Sequence, residues 1–220
     1  MPDANLVERR LRKSGLVVLG VLDQQDGGQI ILAGNAGSGM WEVFTGSPEG
    51  ADGLPHPMDR WSKRIGEEIA AELGSAVVFP FEGPPYPPFL DWAGKSGAAF
   101  PSPVSMFIHQ EYGLWHAYRF ALLLPEALPG FPPALKAVSP CLACETQPCL
   151  SACPVDAFTA GKYQVKDCVA YLAADTNSGC REQGCSARKA CPEAKKFHYL
   201  PTHARFHMNA FLKSRYIIKS

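Results

Sequence analysis

All eight cysteines of this 220-residue chain lie between positions 141 and 191. Four of them, Cys141, Cys144, Cys149 and Cys153, fall within thirteen residues, spaced C-x2-C-x4-C-x3-C and followed by Pro154. Cys168, Cys180, Cys185 and Cys191 follow, and Pro192 repeats the Cys-Pro ending. Thiolates in fours can hold an iron–sulfur cubane or a zinc ion, or pair as disulfides. The run departs from the cubane-wrapping C-x2-C-x2-C-x3-C-P only by two extra residues before its third cysteine. The later intervals, x14, x11, x4 and x5, are poor zinc-ribbon spacings. Disulfides belong to oxidising compartments, and nothing in the sequence suggests export. Iron–sulfur ligation is the favoured expectation, with zinc and disulfides as the alternatives.

In two-cluster ferredoxins the Cys-Pro cysteine of each run ligates the other cluster. Applied here, the rule predicts two 4Fe–4S clusters with crossed ligands. Cys141, Cys144, Cys149 and Cys191 would hold one; Cys153, Cys168, Cys180 and Cys185 would hold the second. His198, His203 and His207 lie just beyond the last cysteine, but with four thiols available per cluster they are expected to be packing or surface residues. Net charge is zero overall, yet residues 1–140 carry −5 and residues 141–220 carry +5. Each cubane with its four thiolates carries about −2, so the basic excess is expected to compensate clusters and not to grip nucleic acid.

The elements that must position these cysteines read as follows. Ala4, Leu6, Val7 and Leu11 among charges predict a helix over 4–14, closed by Gly15. Leu16–Leu22 and Gln29–Ala33 predict two antiparallel strands. The glycine-rich stretch from Gly34 to Gly39 leads into a helical Met40–Phe44; it lacks the spacing of a phosphate loop and reads as a tight turn. Trp61, Ile65, Ile69 and Leu73 predict a helix over 58–73 with Gly74 as its stop. A strand is expected at 75–80. Seven prolines between 80 and 103 predict a rigid, non-regular excursion. Strands are expected at 104–109 and 115–124, joined through Gln110–Gly113, and a proline-rich linker over 124–140. The cysteine lobe is expected to contain helices at 155–159, 166–173 and 183–190. A last helix over 201–218 is expected to pack back on the first domain. No apolar run is long enough to span a membrane, and no signal peptide opens the chain, so a cytoplasmic protein is expected.

The stretch CLACETQPCLSACPVDAF (141–158), with DCVAYL (167–172) and GCREQGCSARKACP (179–192), resembles the ferredoxin-like half of epoxyqueuosine reductases and corrinoid reductive dehalogenases. FIHQEYGLWHAYRFALLLP (107–125) is similar to the corresponding segment of those reductases and of the vitamin B12 processing chaperone. The resemblance implies a nitroreductase-like cobalamin-binding domain followed by a two-cluster ferredoxin-like domain. It also implies a corrinoid as the ligand of the first domain. Tyr86, Phe89, Tyr112 and Trp115 would then offer flat surfaces, Gly113 a close backbone approach, and His109 a polar edge. There are departures. No acid stands in Pro84-Pro85-Tyr86-Pro87-Pro88, where epoxyqueuosine reductases carry an active-site aspartate. Glu111 replaces the chaperone's glutathione-binding arginine. Arg9-Arg10 lacks the apolar segment of a twin-arginine signal.

The expected fold is α+β, with domains at 1–135 and 139–200 and a terminal helix at 201–220. The expected function is one-electron delivery through two 4Fe–4S clusters to a corrinoid or similar small redox ligand. A redox partner protein or small-molecule reductant would supply the electrons. The alternatives are a pure electron carrier with a degenerate ligand domain and a zinc-stapled interaction module.

Overall fold

The structure is a computed structural model that describes residues 2–132, 137–159, 162–174 and 179–217, with side chains to residue 215. The chain is α+β, with small antiparallel sheets. It divides into two units, Met1–Phe100 with His116–Ala137 and Pro101–Trp115 with Val138–Ser220. Residues 101–115, read from sequence as part of the first domain, therefore belong to the unit that holds the cysteines. Residues 133–136 of the expected linker lie outside the described residues.

In the first unit, α1 (Ala4–Lys13) begins at Asp3, whose carboxylate accepts the Leu6 N–H at 2.8 Å. It buries Ala4, Val7 and Leu11 on one face, and Arg10, Arg12 and Lys13 suit its negative C-terminal end. Strands β1 (Val17–Asp23) and β2 (Gln29–Ala36) pair antiparallel. Next come α2 (Trp41–Thr45), α3 (Pro48–Ala51), α4 (Pro57–Leu73), β3 (Ala76–Val78), α5 (Phe89–Lys95) and β4 (Ala99–Pro101). Beyond β5 (Phe107–His109), β6 (His116–Leu124) returns to complete a sheet ordered β1-β2-β6-β3. β2 is buried along almost its whole length, as a central strand covered on both faces must be. The β2–β6 pairing slips between Ala33 and Gly34, where β6 carries the extra residue, and Gly34 lies so close to β6 that a Cβ there would stand 2.0 Å from the Ala117 carbonyl oxygen.

The glycine-rich stretch is a tight turn organised from below. Buried Asn35 donates to the Gly37 carbonyl, and its own Oδ1 accepts from Arg119 Nε and Nη2 at 3.0 and 2.9 Å. α4 starts with Pro57 in its first turn, buries Trp61, Ile65, Ile69 and Leu73, and ends on left-handed Gly74. The excursion expected at 80–103 contains α5, which the prolines concealed. The strands expected at 104–109 and 115–124 form no hairpin, since β6 pairs with β2 and β3.

The second unit continues after a 3-10 turn at Pro140–Leu142 with α6 (Pro148–Ser151), β7 (Phe158–Thr159) and β8 (Lys162–Tyr163). Then follow α7 (Val165–Ala174), α8 (Gly179–Gln183), α9 (Ser186–Ala190) and α10 (Pro201–Ile217). The helix expected at 155–159 is a turn leading into β7, and the one expected at 183–190 is divided between α8 and α9. α10 packs on α7 and α8 through Leu212, which meets Leu172 and Cys180. No described helix is long and apolar enough to cross a membrane.

Candidate metal centre

Two short helices carry the geometry of the cysteine lobe, and they pack against each other. α6 opens on Pro148, so Cys149 sits in its first turn and Cys153 follows just past its end. α9 is flanked by Cys185 at its start and Cys191 at its end. At 1.5 Å per residue, Cys185 and Cys191 are roughly 9 Å apart along the helix axis. Each helix therefore presents one cysteine to each of two separate places.

Those places are two cavities, each with about 300 Å³ of open space counting the mouth. Cys141, Cys144, Cys149 and Cys191 line the first, beside Pro103, Ile108 and Glu193. Cys153, Cys168, Cys180 and Cys185 line the second, beside Phe158, Tyr171 and Met208. The structure thus gathers the cysteines into the same two sets that the crossed Cys-Pro rule predicts. All eight thiols are free of disulfides. Among the described residues no three His, Cys, Asp or Glu side chains converge closely enough to hold one metal ion. No histidine lines either cavity.

The electrostatics follow the same division. Burial pushes the Cys149 thiol up, and Cys141 and Cys144 add to it. Cys191 is raised by burial and then by Cys149 and Cys141. Cys141 is raised by burial, with Cys144 and Glu193 also contributing. In the second set Cys168 is raised by burial, then by Cys153 and Cys180, and burial pushes Cys185 up to about 11. These shifted thiols, Cys141, Cys149 and Cys191 in one set and Cys168 and Cys185 in the other, resist becoming thiolates unless a cationic centre compensates them.

Two sulfurs of the second set have close hydrogen-bond partners. The Ala157 N–H donates to Cys153 Sγ at 3.3 Å, and the Ser186 hydroxyl lies 3.3 Å from Cys180 Sγ. Against that burial the Tyr163 hydroxyl draws the Cys168 pKa down, and the Arg188 and Ala187 N–H groups do the same for Cys185. In the first set the Ser139 hydroxyl accepts the Cys141 N–H at 3.4 Å, and the N–H groups of Leu150 and Glu193 draw the Cys149 and Cys191 pKa values down. The residues present fit an iron–sulfur cluster in each cavity, with four thiols and largely apolar walls, and in the second cavity hydrogen-bonding groups at two sulfurs. Sequence reasoning did not single out Tyr163 or Glu193. Proximity was the available signal, since Glu193 follows Cys191-Pro192 and Tyr163 stands five residues before Cys168.

The residues expected to face a corrinoid have other roles. Within the second unit the Trp115 ring, 2% exposed, is covered by the Arg188 guanidinium at 4.5 Å and His198 at 4.3 Å, with Tyr199 edge-on. Arg188 also donates from Nε and Nη2 to the Leu114 carbonyl. Gly113, at φ +55°, lies so close to Glu193 and Ala194 that a Cβ would stand 2.9 Å from the Ala194 methyl. His109 Nδ1 accepts the N–H groups of Glu111 and Tyr112, whose ring stacks on it at 4.7 Å and meets Phe197 edge-on. In the first unit Phe89 is buried against Trp92 and Tyr118, while Tyr86 is exposed. A corrinoid floor made from Trp115, Tyr112 and Gly113 does not fit this packing.

The three histidines pack as well. His203 is fully buried, stacks on Tyr199 at 4.0 Å and lies with its Nε2 2.9 Å from that of His207. Burial lowers the His198 pKa, and Lys189, Lys195 and Arg188 lower it further. No protein-family model matches the chain, and no curated protein matches it.

Proposed function

We propose that this chain is an iron–sulfur electron-transfer protein that carries two 4Fe–4S clusters in its second unit. The observation that carries the reading is the gathering of eight cysteines into two four-cysteine cavities, crossed between α6 and α9. The clusters, when bound, would supply one-electron storage and transfer. Cys141, Cys144, Cys149 and Cys191 would hold one, and Cys153, Cys168, Cys180 and Cys185 the other. The chain's residues exclude water with Pro103, Ile108, Phe158 and Met208, and place N–H and hydroxyl donors on the sulfurs. Thiols lining cavities suit a polynuclear cluster, whereas one zinc ion would draw four sulfurs to about 2.3 Å from a single centre. The sequence resemblance to the two-cluster half of epoxyqueuosine reductases and reductive dehalogenases supports the same reading. By that resemblance the first unit is a nitroreductase-like domain.

Because the packing of Trp115 and Gly113 does not fit a corrinoid floor, the electron-carrier reading takes first place, and no step is assigned to a corrinoid. Anaerobic reconstitution should give about eight irons and eight acid-labile sulfides per chain, with broad visible absorbance. Bound zinc without sulfide would overturn the proposal. Titration with cob(II)alamin separates the carrier from the corrinoid-reducing alternative. A spectral change with affinity tighter than about 1 mM would restore a ligand-binding role to the first unit.

A further inference from the structure

α9 joins the two cysteine sets, with Cys185 at its start and Cys191 at its end. Arg188 stands midway between them in the sequence. We infer that Arg188 is the positioning residue for both cysteine sites: it fixes the place of α9, and through that helix one sulfur in each cavity. Its role toward clusters rests on the iron–sulfur reading above; its placing of the sulfurs does not.

A helix of five residues cannot hold itself in water, and the Cys185 side chain makes no capping hydrogen bond to this one. Contacts from elsewhere must therefore set where α9 lies. Among its own residues only Ala187 is buried. The Arg188 side chain supplies the reach that the rest of the helix lacks. Its Nε and Nη2 both donate to the Leu114 carbonyl, at 2.8 and 2.5 Å. The same guanidinium lies over the Trp115 ring at 4.5 Å and the Tyr199 ring at 4.4 Å. Both rings are themselves fixed. Trp115 is buried, and buried Tyr199 stacks at 4.0 Å on His203 of α10, which is fully buried.

One side chain thus ties α9 to the segment before β6 and to the segment before α10. The backbone passes that anchorage to both cysteines. The Arg188 carbonyl accepts the Cys191 N–H at 3.4 Å, and the neighbouring Lys189 N–H donates to the Cys185 carbonyl at 3.0 Å. Because α9 packs on α6, which carries Cys149 and Cys153, any tilt of α9 shifts one sulfur of each set against its partners. A planar fork can bond one carbonyl twice while its face rests on aromatic rings. A lysine ammonium cannot do both.

The test uses the full chain as wild type, Arg188→Met and Arg188→Lys. In the metal-free chain, the rate at which each cysteine is alkylated by iodoacetamide is read by mass spectrometry, with circular dichroism as a check on folding. Loss of hydrogen bonds from a charged group should speed Cys185 and Cys191 roughly tenfold in Arg188→Met, and by more than it speeds Cys144 and Cys168. Arg188→Lys should fall between that variant and wild type. A rise at only one of Cys185 and Cys191, at neither, or equally at all eight cysteines overturns the inference. Wild-type rates in Arg188→Lys overturn it whether or not Arg188→Met folds. After anaerobic reconstitution and challenge with a chelator, Arg188→Met should lose iron from both sites together, so that both cluster signals fall in electron paramagnetic resonance; loss from one alone overturns the shared role. A wild-type chain that takes up no iron and sulfide removes the iron–sulfur reading, and the alkylation rates still decide what Arg188 does.

Discussion

At the scale of single residues, the crossed cysteines make a sharp expectation. Cys191→Ala should damage only the site of Cys141, Cys144 and Cys149, and Cys153→Ala only that of Cys168, Cys180 and Cys185. Electron paramagnetic resonance of each variant should show one surviving cluster, different in the two cases; loss of the same cluster in both would refute the pairing. These sets were legible through the two Cys-Pro endings and not through nearness in sequence, since Cys149 and Cys153 line different cavities while Cys149 and Cys191 line the same one. The surroundings of Trp115 were not legible. A tryptophan before an apolar strand has the same pattern whether it faces a ligand or lies beneath Arg188. Gly113 shows what that costs. Read from sequence as a close backbone approach for a ligand, Gly113 has positive φ and lies against Glu193 and Ala194, just past Cys191. The left-handed backbone alone should cost at least about 1 kcal/mol. Gly113→Leu should therefore lower the thermal midpoint and weaken iron retention in the Cys191 set, measured by melting and metal analysis.

Among the elements, α3 and α4 are joined by an ion pair whose pH dependence has a defined sign. Arg64 hydrogen-bonds both oxygens of the Glu49 carboxylate, at 2.6 Å from Nε and 3.1 Å from Nη2. Those bonds, more than any other influence, hold the Glu49 pKa down to about 2 from an ordinary 4.5. A carboxyl depressed in the fold stabilises it fully above its unfolded pKa, and that contribution disappears as pH falls through the folded value. The stability gap between wild type and Glu49→Gln should be full at neutral pH and close between about pH 4.5 and 2, as followed by urea denaturation. Periodicity found α1 and α4, whose buried faces repeat over several turns. It missed α5 because Pro84 to Pro88 dominate the local pattern, although Pro88 immediately precedes the helix, where a proline is tolerated. The two-residue strands β7 and β8 are too short to show any period.

For the whole molecule, the interleaving of the two units matters more than the boundary expected near 135–139. The second unit includes residues 101–115, which supply Trp115 to the Arg188–Tyr199 sandwich and the Leu114 carbonyl to Arg188. A fragment of residues 138–220 would carry every cysteine yet lack those partners. Losing a buried tryptophan contact costs about 3–5 kcal/mol in other proteins. The fragment should therefore retain less iron than the full chain after reconstitution and gel filtration, and show a lower thermal midpoint. Equal loading and equal melting would mean that 101–115 contributes nothing to the lobe.

The crossing also imposes an order in time. As the chain leaves the ribosome, the four closely spaced cysteines of 141–153 emerge first, yet they belong to different sites and complete neither. The second set gains its last sulfur at Cys185, and the first only six residues later, at Cys191. On the proposed iron–sulfur reading, neither site could be fully ligated until almost the whole lobe had been synthesised, so cluster loading would follow translation of this region. Whichever site loaded first would then tie α6 to α9 and bring the remaining cysteines together for the other.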